Sequence, residues 1–244
     1  MKIGIFSDIH GNFEALERVL EFLESRVDKF ICCGDIVGYG PKPNECIEKI
    51  LSLGDKIACV CGNHDWAALG LEDITKFNED ARIAIKWTRE VLSQDSVNFL
   101  MGLDYKLGGA NFIVVHGSLR DPLDEYILNT SDYIPSMKKQ AKKILFVGHT
   151  HQPLIFRGIS GVVDIIPPIP EKPIFLEDGS KYLVNVGSVG QPRDGNPKSS
   201  CVIYEEETSQ ITYYRIDYDI AKVQQQMREV RLPEFLIQRL ERGV

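Results

Sequence analysis

Hydrophobic positions along this chain switch between two periods, and the switches mark out its elements. Residues 2–7 form a short, nearly continuous apolar run, the pattern of a strand buried on both faces. Residues 12–24 change to helical spacing, with Phe13, Leu16, Leu20 and Leu23 on one face and Asn12 placed to cap the first turn. Phe30 to Cys33 is a second strand. Pro43 to Leu53 is a second helix, with proline near its start and Gly54 after its end. Ile57 to Cys61 is a third strand. This β-α-β-α-β order predicts a parallel sheet with right-handed crossovers. Helical spacing returns at Asn78 to Leu92 and Ser96 to Leu103. A hairpin follows over residues 105–115, then a loop rich in Asp, Pro and Ser, then a strand from Ile144 to Val147. Further strands are predicted near 154–158, 161–165, 182–186, 201–205 and 210–216. Four prolines between Pro167 and Pro173 stiffen a connection that is either a surface crossing or a lid. Two helices fill a tail at about 219–242, the second opened by Pro233. No repeat, low-complexity segment or linker interrupts the pattern, so residues 1–244 are expected to form a single domain.

Composition changes this picture little. With 43% hydrophobic residues the chain can build a core without disulfides, and its six cysteines read as reduced thiols in core strands. Met1-Lys2 leads directly into a strand, which predicts no signal peptide, and no apolar run approaches the ~20 residues of a membrane span. The expected setting is cytoplasmic, with no membrane partner. A net charge of −7 gives little counterion release and argues against a stable nucleic-acid partner. It leaves room for an anionic substrate held by cations, whose charge dominates the local field. The sequence sets no oligomeric state.

The ends of the strands carry the chemistry. Five apolar runs finish in potential ligands: Asp8-x-His10, Gly34-Asp35, Gly62-Asn63-His64-Asp65, His116-Gly117 and Gly148-His149-x-His151. All five histidines of the chain fall in these positions, whereas solvated histidines would scatter over helices and loops. Asp8 and His10, two apart on an extended chain, would point to the same side and share one ion. Asp8, His10, Asp35, Asn63, His116, His149 and His151 together offer imidazole nitrogens and carboxylate or amide oxygens but no thiolate. Such a set suits manganese foremost, with iron, zinc, nickel, cobalt or magnesium admissible. Seven ligands fill two shells only if a carboxylate bridges. Two ions ~3.5–4 Å apart would clamp an in-line displacement and supply a hydroxide nucleophile.

In order and spacing these five motifs resemble the calcineurin-like metallophosphoesterase superfamily. His116-Gly117-Ser118-x-Arg120-Asp121-Pro122 and the stretch from Asn185 to Gly195 resemble its compact, single-domain bacterial and archaeal phosphodiesterase branch. The likeness runs over about residues 1–216 and into the tail. It implies an α/β fold, a four-layer α-β-β-α sandwich with two mixed β-sheets. It also implies one metal held by Asp8, His10, Asp35 and His151, and a second by Asp35, Asn63, His116 and His149, with Asp35 bridging. His64 would be catalytic, stabilising the transferred phosphoryl group or protonating the leaving oxygen, a role typically worth 10²–10⁴-fold.

The departures are informative. Ser/Thr protein phosphatases of the superfamily carry G-D-x-V-D-R-G, and here the stretch reads Gly34-Asp35-Ile36-Val37-Gly38-Tyr39-Gly40. Gly38 replaces the acid that pairs with the catalytic histidine, and Tyr39 replaces a phosphate-clamping arginine. Arg193 is the candidate replacement, so Asn63, His64 and Arg193 are the expected substrate contacts. Arg120 would pair with Asp121 or Asp124. The implied activity is dinuclear metal-dependent hydrolysis of a phosphodiester or small nucleotide-like phosphate, by attack of a metal-bound hydroxide. Diadenosine polyphosphate hydrolase and phosphoprotein phosphatase are the alternatives. A non-catalytic scaffold fits less well, because all seven ligands and His64 are present; a nuclease fits less well because the chain lacks length for an obvious DNA-clamping domain and its acidity offers little counterion release.

Overall fold

In the computed structural model, which describes residues 1–244, the period-2 pattern of the first strand is realised on two covered faces. Within β1 (Lys2–Phe6), Ile3 and Ile5 face a core between two sheets, while Phe6 packs against helices. The remaining elements follow in chain order. They are α1 (Phe13–Glu24), β2 (Lys29–Cys32), α2 (Pro43–Ser52), β3 (Ile57–Cys59), α3 (Asn63–Ala68), α4 (Glu79–Val91) and α5 (Gln94–Met101). Next come β4 (Leu107–Gly108), β5 (Phe112–Val114), α6 (Thr130–Lys139), β6 (Ile144–Val147), β7 (Leu154–Ile159) and β8 (Val162–Ile166). The chain closes with β9 (Ile174–Phe175), β10 (Lys181–Asn185), β11 (Ser199–Glu205), β12 (Gln210–Ile216), α7 (Ile220–Glu229) and α8 (Glu234–Arg242).

Two six-stranded mixed sheets result, in the orders β3-β2-β1-β11-β12-β9 and β4-β5-β6-β10-β7-β8. β1, β2 and β3 run parallel, as the alternation of strands and helices predicts, and β11 closes on β1 antiparallel. The inward residues of both sheets form one core: Ile5, Ile31 and Val202 meet Phe112, Phe146 and Val184. Leu16, Leu20 and Leu23 of α1 cover the outer face of the first sheet, with Ile47 and Ile50 of α2. Tyr133 of α6 covers the second sheet over Leu145 and Leu183. The expected four-layer α-β-β-α sandwich is therefore present. Each fully buried aliphatic or aromatic side chain in such a core contributes about 1.5–3 kcal/mol.

Several boundaries differ from the sequence reading. β3 stops at Cys59, because the chain then turns to pair with the segment after α5: Val60 bridges Asp104, and the Cys61 amide donates to the Asp104 carbonyl. The loop expected before β6 holds α6. Pro135 in its interior hides the helix, but Asn129 and Asp132 form a full capping box at its start. The proline-rich residues 167–173 cross from the edge strand β8 of one sheet to the edge strand β9 of the other. They line no part of the cavity described below, which leaves the surface crossing and removes the lid. No helix is long and apolar enough to cross a membrane.

The tail is anchored, not free. Val223 and Met227 of α7 and Leu236, Ile237 and Leu240 of α8 pack with Tyr39 and with Ala81 and Ala84 of α4. Glu14 of α1 accepts from Lys42, Lys222 and Gln226, tying α7 to the first sheet's helical layer.

Candidate metal centre

Ligands in open α/β sheets lie beyond the carboxyl ends of the strands. Here β1, β2, β3, β5 and β6 all deliver their loops to one place, and each puts its chemistry within five residues of the strand. Asp8, His10, Asp35, His149 and His151 adopt left-handed backbone, with φ between 51° and 67°. The expected convergence of Asp8 and His10 is thus real but its cause is different: the loop coils after Phe6 instead of staying extended. Left-handed backbone costs roughly 1–2 kcal/mol per residue, and such strain clusters where a site demands it. Glycine precedes the ligands for a steric reason. A Cβ on Gly62 would overlap Asp35 Oδ1, and one on Gly148 would overlap Ser7 Oγ and Asp8 Oδ2.

Backbone carbonyls fix the tautomer of four histidines. His10 Nδ1 faces the Val37 carbonyl at 3.2 Å, His116 Nδ1 the Cys33 carbonyl at 2.8 Å and His151 Nδ1 the Gln191 carbonyl at 2.6 Å. His149 is reversed, its Nε2 facing the Asp124 carbonyl at 3.1 Å. A carbonyl only accepts, so each of these nitrogens carries the proton and the other nitrogen of the ring presents a lone pair. Those lone pairs meet. His10 Nε2 lies 3.1 Å from His151 Nε2, and His116 Nε2 lies 3.1 Å from His149 Nδ1. Between the two pairs sits Asp35, whose Oδ2 is 3.6 Å from His10 Nε2 and 3.2 Å from His116 Nε2. Asp8 Oδ1 is 3.2 Å from His151 Nε2.

Two facing acceptors without a proton between them repel, and a cation removes the conflict. The donor chemistry therefore fits metal ions, and a second observation agrees: Asp35 Oδ2 and Asn63 Oδ1 are buried with no hydrogen-bond partner. Asp8, His10, Asp35 and His151 form one group that could hold an ion, and Asp35, His116 and His149 form another. Asp35 is common to both. Six of the seven expected ligands are thereby brought into two groups; Asn63, at the start of α3, belongs to neither, though its buried oxygen lacks a partner. The cysteines take no part; all six are free, and every one but Cys59 is buried.

Charge behaves as such a site requires. Burial works against ionising Asp8 and Asp35, but His151 beside Asp8 and His116 beside Asp35 hold both carboxyls well below the usual range. Without a cation, a proton on His116 Nε2 takes its place between the His116–His149 pair: against burial, Asp35 and Asp8 push His116 up to about 10. His149 falls to about 3, through burial and the nearby His116.

His64 stands apart from both groups, as expected. Its amide donates to Asp35 Oδ1 at 2.8 Å, and its ring is packed among Tyr39 (4.4 Å), His10 (4.7 Å) and Phe77 (5.1 Å). Its Nδ1 is buried without a partner. Burial first, then Arg193 among its neighbours, outweighs Asp35 and lowers its pKa to about 4, so the ring is neutral near pH 7. The ring is thus held by packing, with no acid beside it. A Cβ at Gly38 would lie 2.6 Å from His64 Nδ1, so the ring fills the space that an acid there would need.

Asn63, His64 and His149 border a cavity of about 600 Å³. Arg193 reaches it, held by an Nη2 hydrogen bond to Gln191 Oε1 and lying over the Tyr39 ring. Arg120 does not, and it pairs with Glu125 instead of Asp121 or Asp124, because the turn around Ser118 brings Glu125 back onto it. Other residues of the site were not read from the sequence. Tyr126 stacks on His149 at 3.9 Å. Arg239 enters the cavity from α8. Asp65 takes the amides of Ile36, Val37 and Gly62, stitching two ligand loops together. Only Asp65 carried a signal, its position in Gly62-Asn63-His64-Asp65.

Comparison with known proteins adds a lineage to this geometry. The sequence model of the calcineurin-like phosphoesterase superfamily domain matches residues 1–209. An uncharacterized protein of Methanocaldococcus jannaschii is 38% identical over 247 residues, covering 99% of this chain and 98% of its own length. The phosphodiesterase YfcE of Escherichia coli is 25% identical over 208 residues, covering 82% of this chain and 85% of its own. The crystal structure of a metallophosphoesterase from Sphaerobacter thermophilus superposes with a TM-score of 0.90 at 41% identity, over 100% of this chain and 99% of that one.

Proposed function

The chain belongs to the calcineurin-like phosphoesterase superfamily and is a metal-dependent phosphoric ester hydrolase, and from that premise we propose that it uses two divalent cations to hydrolyse a phosphodiester or small nucleotide-like phosphate. The observation that carries this reading is the pair of histidine couples with facing lone pairs on either side of the orphaned Asp35 Oδ2. Asp8, His10, Asp35 and His151 would hold one ion, and Asp35, Asn63, His116 and His149 the other. The absence of thiolate favours manganese, with iron, zinc, nickel, cobalt or magnesium as substitutes. When bound, such ions supply charge for the phosphoryl oxygens and water acidified from 15.7 towards roughly 7.

The protein's own side chains do the rest. Asn63 would turn its unpartnered oxygen to an ion and keep its amide for a phosphoryl oxygen. His64, neutral and pinned by three aromatic neighbours, offers a ring N–H to the phosphoryl group or the leaving oxygen. Arg193 brings a guanidinium fork to a phosphate in the cavity. Tyr39, Phe77 and Tyr126 line the cavity and offer ring faces that suit an aryl or nucleoside ester. A phosphoprotein phosphatase is the weaker reading, because the Gly38-Tyr39 positions lack both the acid and the arginine of that branch.

His64→Ala is the test. The manganese-loaded variant should retain the metal content of the parent yet hydrolyse bis-(p-nitrophenyl) phosphate about 10²–10⁴-fold more slowly. Parent-like turnover would remove His64 from the chemistry.

A further inference from the structure

We propose that Arg239 and Arg193 form a subsite for a second phosphate on the substrate, next to the phosphoryl group that is hydrolysed. This rests on the hydrolase reading above and names the substrate class: phosphate esters that carry a further phosphate.

The argument starts from two guanidiniums in one cavity. Arg193 comes from the loop after β10 and Arg239 from the last turns of α8, and both border the same space as Asn63 and His64. Neither has a carboxylate side chain as its ion-pair partner. Arg193 Nη2 donates to the amide oxygen of Gln191, and its Nε is buried with no acceptor. Arg239 donates Nε to an oxygen of Val244, the last residue of the sequence, whose terminal carboxylate offsets part of its charge, and its two Nη groups stay uncommitted. The arginines elsewhere in contact with acids, such as Arg157 with Asp164 and Glu177, show the ordinary arrangement. Asp121 and Asp124 also border the cavity; Asp121 Oδ1 accepts the amides of Leu123 and Asp124, and neither carboxylate makes an ion pair with either guanidinium.

An arginine cannot shed its proton to escape such a position. Burial, and then the neighbouring Arg193, lower the pKa of Arg239 to about 10, so both groups stay charged near pH 7. Two like charges that are partly buried, with Nη and Nε donors between them left without acceptors, favour an anion beside them. The geometry also prepares Arg239. Its guanidinium lies 5.4 Å over the Phe235 ring, and the helix beneath it is fixed by Leu236, Ile237 and Leu240. On the hydrolase reading the cations, Asn63 and His64 would meet the reacting phosphoryl group, with Arg193 at its edge, which leaves Arg239 free to take a further phosphate that Arg193 shares. A planar fork recognises phosphate in two-pronged fashion, which points to a second phosphate. Arg193 lies within residues 1–209 matched by the superfamily model and α8 lies beyond them, so the tail supplies one of the two guanidiniums.

The test uses manganese-loaded full-length protein and a matched pair of substrates: thymidine 5′-(p-nitrophenyl phosphate) with and without a 3′-phosphate. Both release p-nitrophenol from the same diester. The parent should favour the 3′-phosphorylated compound at least ten-fold in kcat/KM, chiefly through KM, as expected for binding remote from the reacting atoms. Arg239→Ala should bring that ratio close to one. Arg239→Lys, which keeps the charge and the helix but not the fork, should retain part of the preference, and it carries the test if the alanine variant folds poorly. A parent ratio near one, or ratios in both variants equal to the parent's, would overturn the subsite. Failure of the parent to hydrolyse either compound or bis-(p-nitrophenyl) phosphate would instead overturn the hydrolase reading beneath it.

Discussion

Asp65 is buried, bears no role in binding an ion, and yet should control the site. Its Oδ1 accepts the amides of Ile36 at 2.8 Å and Val37 at 3.0 Å, and its Oδ2 accepts that of Gly62 at 3.0 Å. These amides flank Asp35 on one side and Asn63 on the other. In Asp65→Ala all three become buried donors without partners, at about 1–3 kcal/mol each. Part of that loss is returned, because the carboxylate itself is unfavourably placed: burial, then repulsion from Asp35, raises its pKa to about 7. The net expectation is a destabilisation of about 3 kcal/mol. Asp65→Asn keeps an oxygen for Ile36 and Val37 but turns an NH₂ towards Gly62, and should cost about 1 kcal/mol. Urea denaturation of metal-free protein measures both, since bound metal would add its own stabilisation. The pH dependence has a definite sign. The folded chain holds a proton on Asp65 that the unfolded chain releases near 3.8, so the contribution of Asp65 to stability declines as pH rises from about 4 to about 7. The alanine variant should therefore lose more at pH 5 than at pH 8. Loosened loops should also weaken metal binding roughly 10–100-fold, the usual penalty for losing a group that orients a ligand. An Asp65→Ala protein within 0.5 kcal/mol of the parent would refute the reasoning.

Two further outcomes follow from other parts of the structure. Glu14 is held down to about 2 by Lys42, Gln226 and Lys222 against its own burial, so its stabilisation is full above pH 4.5 and fades as pH falls towards 2; Glu14→Gln should cost about 1–2 kcal/mol at pH 7, after allowance for solvent screening, and nothing near pH 2, by thermal or urea unfolding at the two pH values. Gly38 has φ of +135° and no room beside His64, so Gly38→Ala should cost about 2–4 kcal/mol and lower turnover of bis-(p-nitrophenyl) phosphate at least ten-fold, with parent-like kinetics arguing against the tight packing around His64.

What could be read from the sequence was what the pattern encodes locally. Strands β1, β2 and β6 lead into Asp8, Asp35 and His149, and an apolar run followed by a small residue (Ser7, Gly34 or Gly148) and then a polar one marks a strand that delivers a loop. The two sheets, the layers and the seven candidate ligands followed from that repetition and from the superfamily resemblance. The groups that orient those ligands were invisible for a physical reason. The carbonyls of Val37, Cys33, Gln191 and Asp124 belong to the backbone and carry no residue signature. Arg239 lies 175 residues from His64 along the chain and reads locally as a cation suited to a helix C-terminus. α6 was hidden by Pro135, and the coil that aims Asp8 and His10 by the assumption that a strand continues straight. Tyr39 was legible only as a missing arginine; its packing against His64 depends on the fold.

The central claim is that Asp35 joins two ions in one site, and metal content tests it most directly. After loading with manganese and dialysis, elemental analysis should find two equivalents per chain in the parent and no more than one in Asp35→Asn, with folding verified by circular dichroism. Two tightly held ions in Asp35→Asn, or none in the parent, would contradict the account.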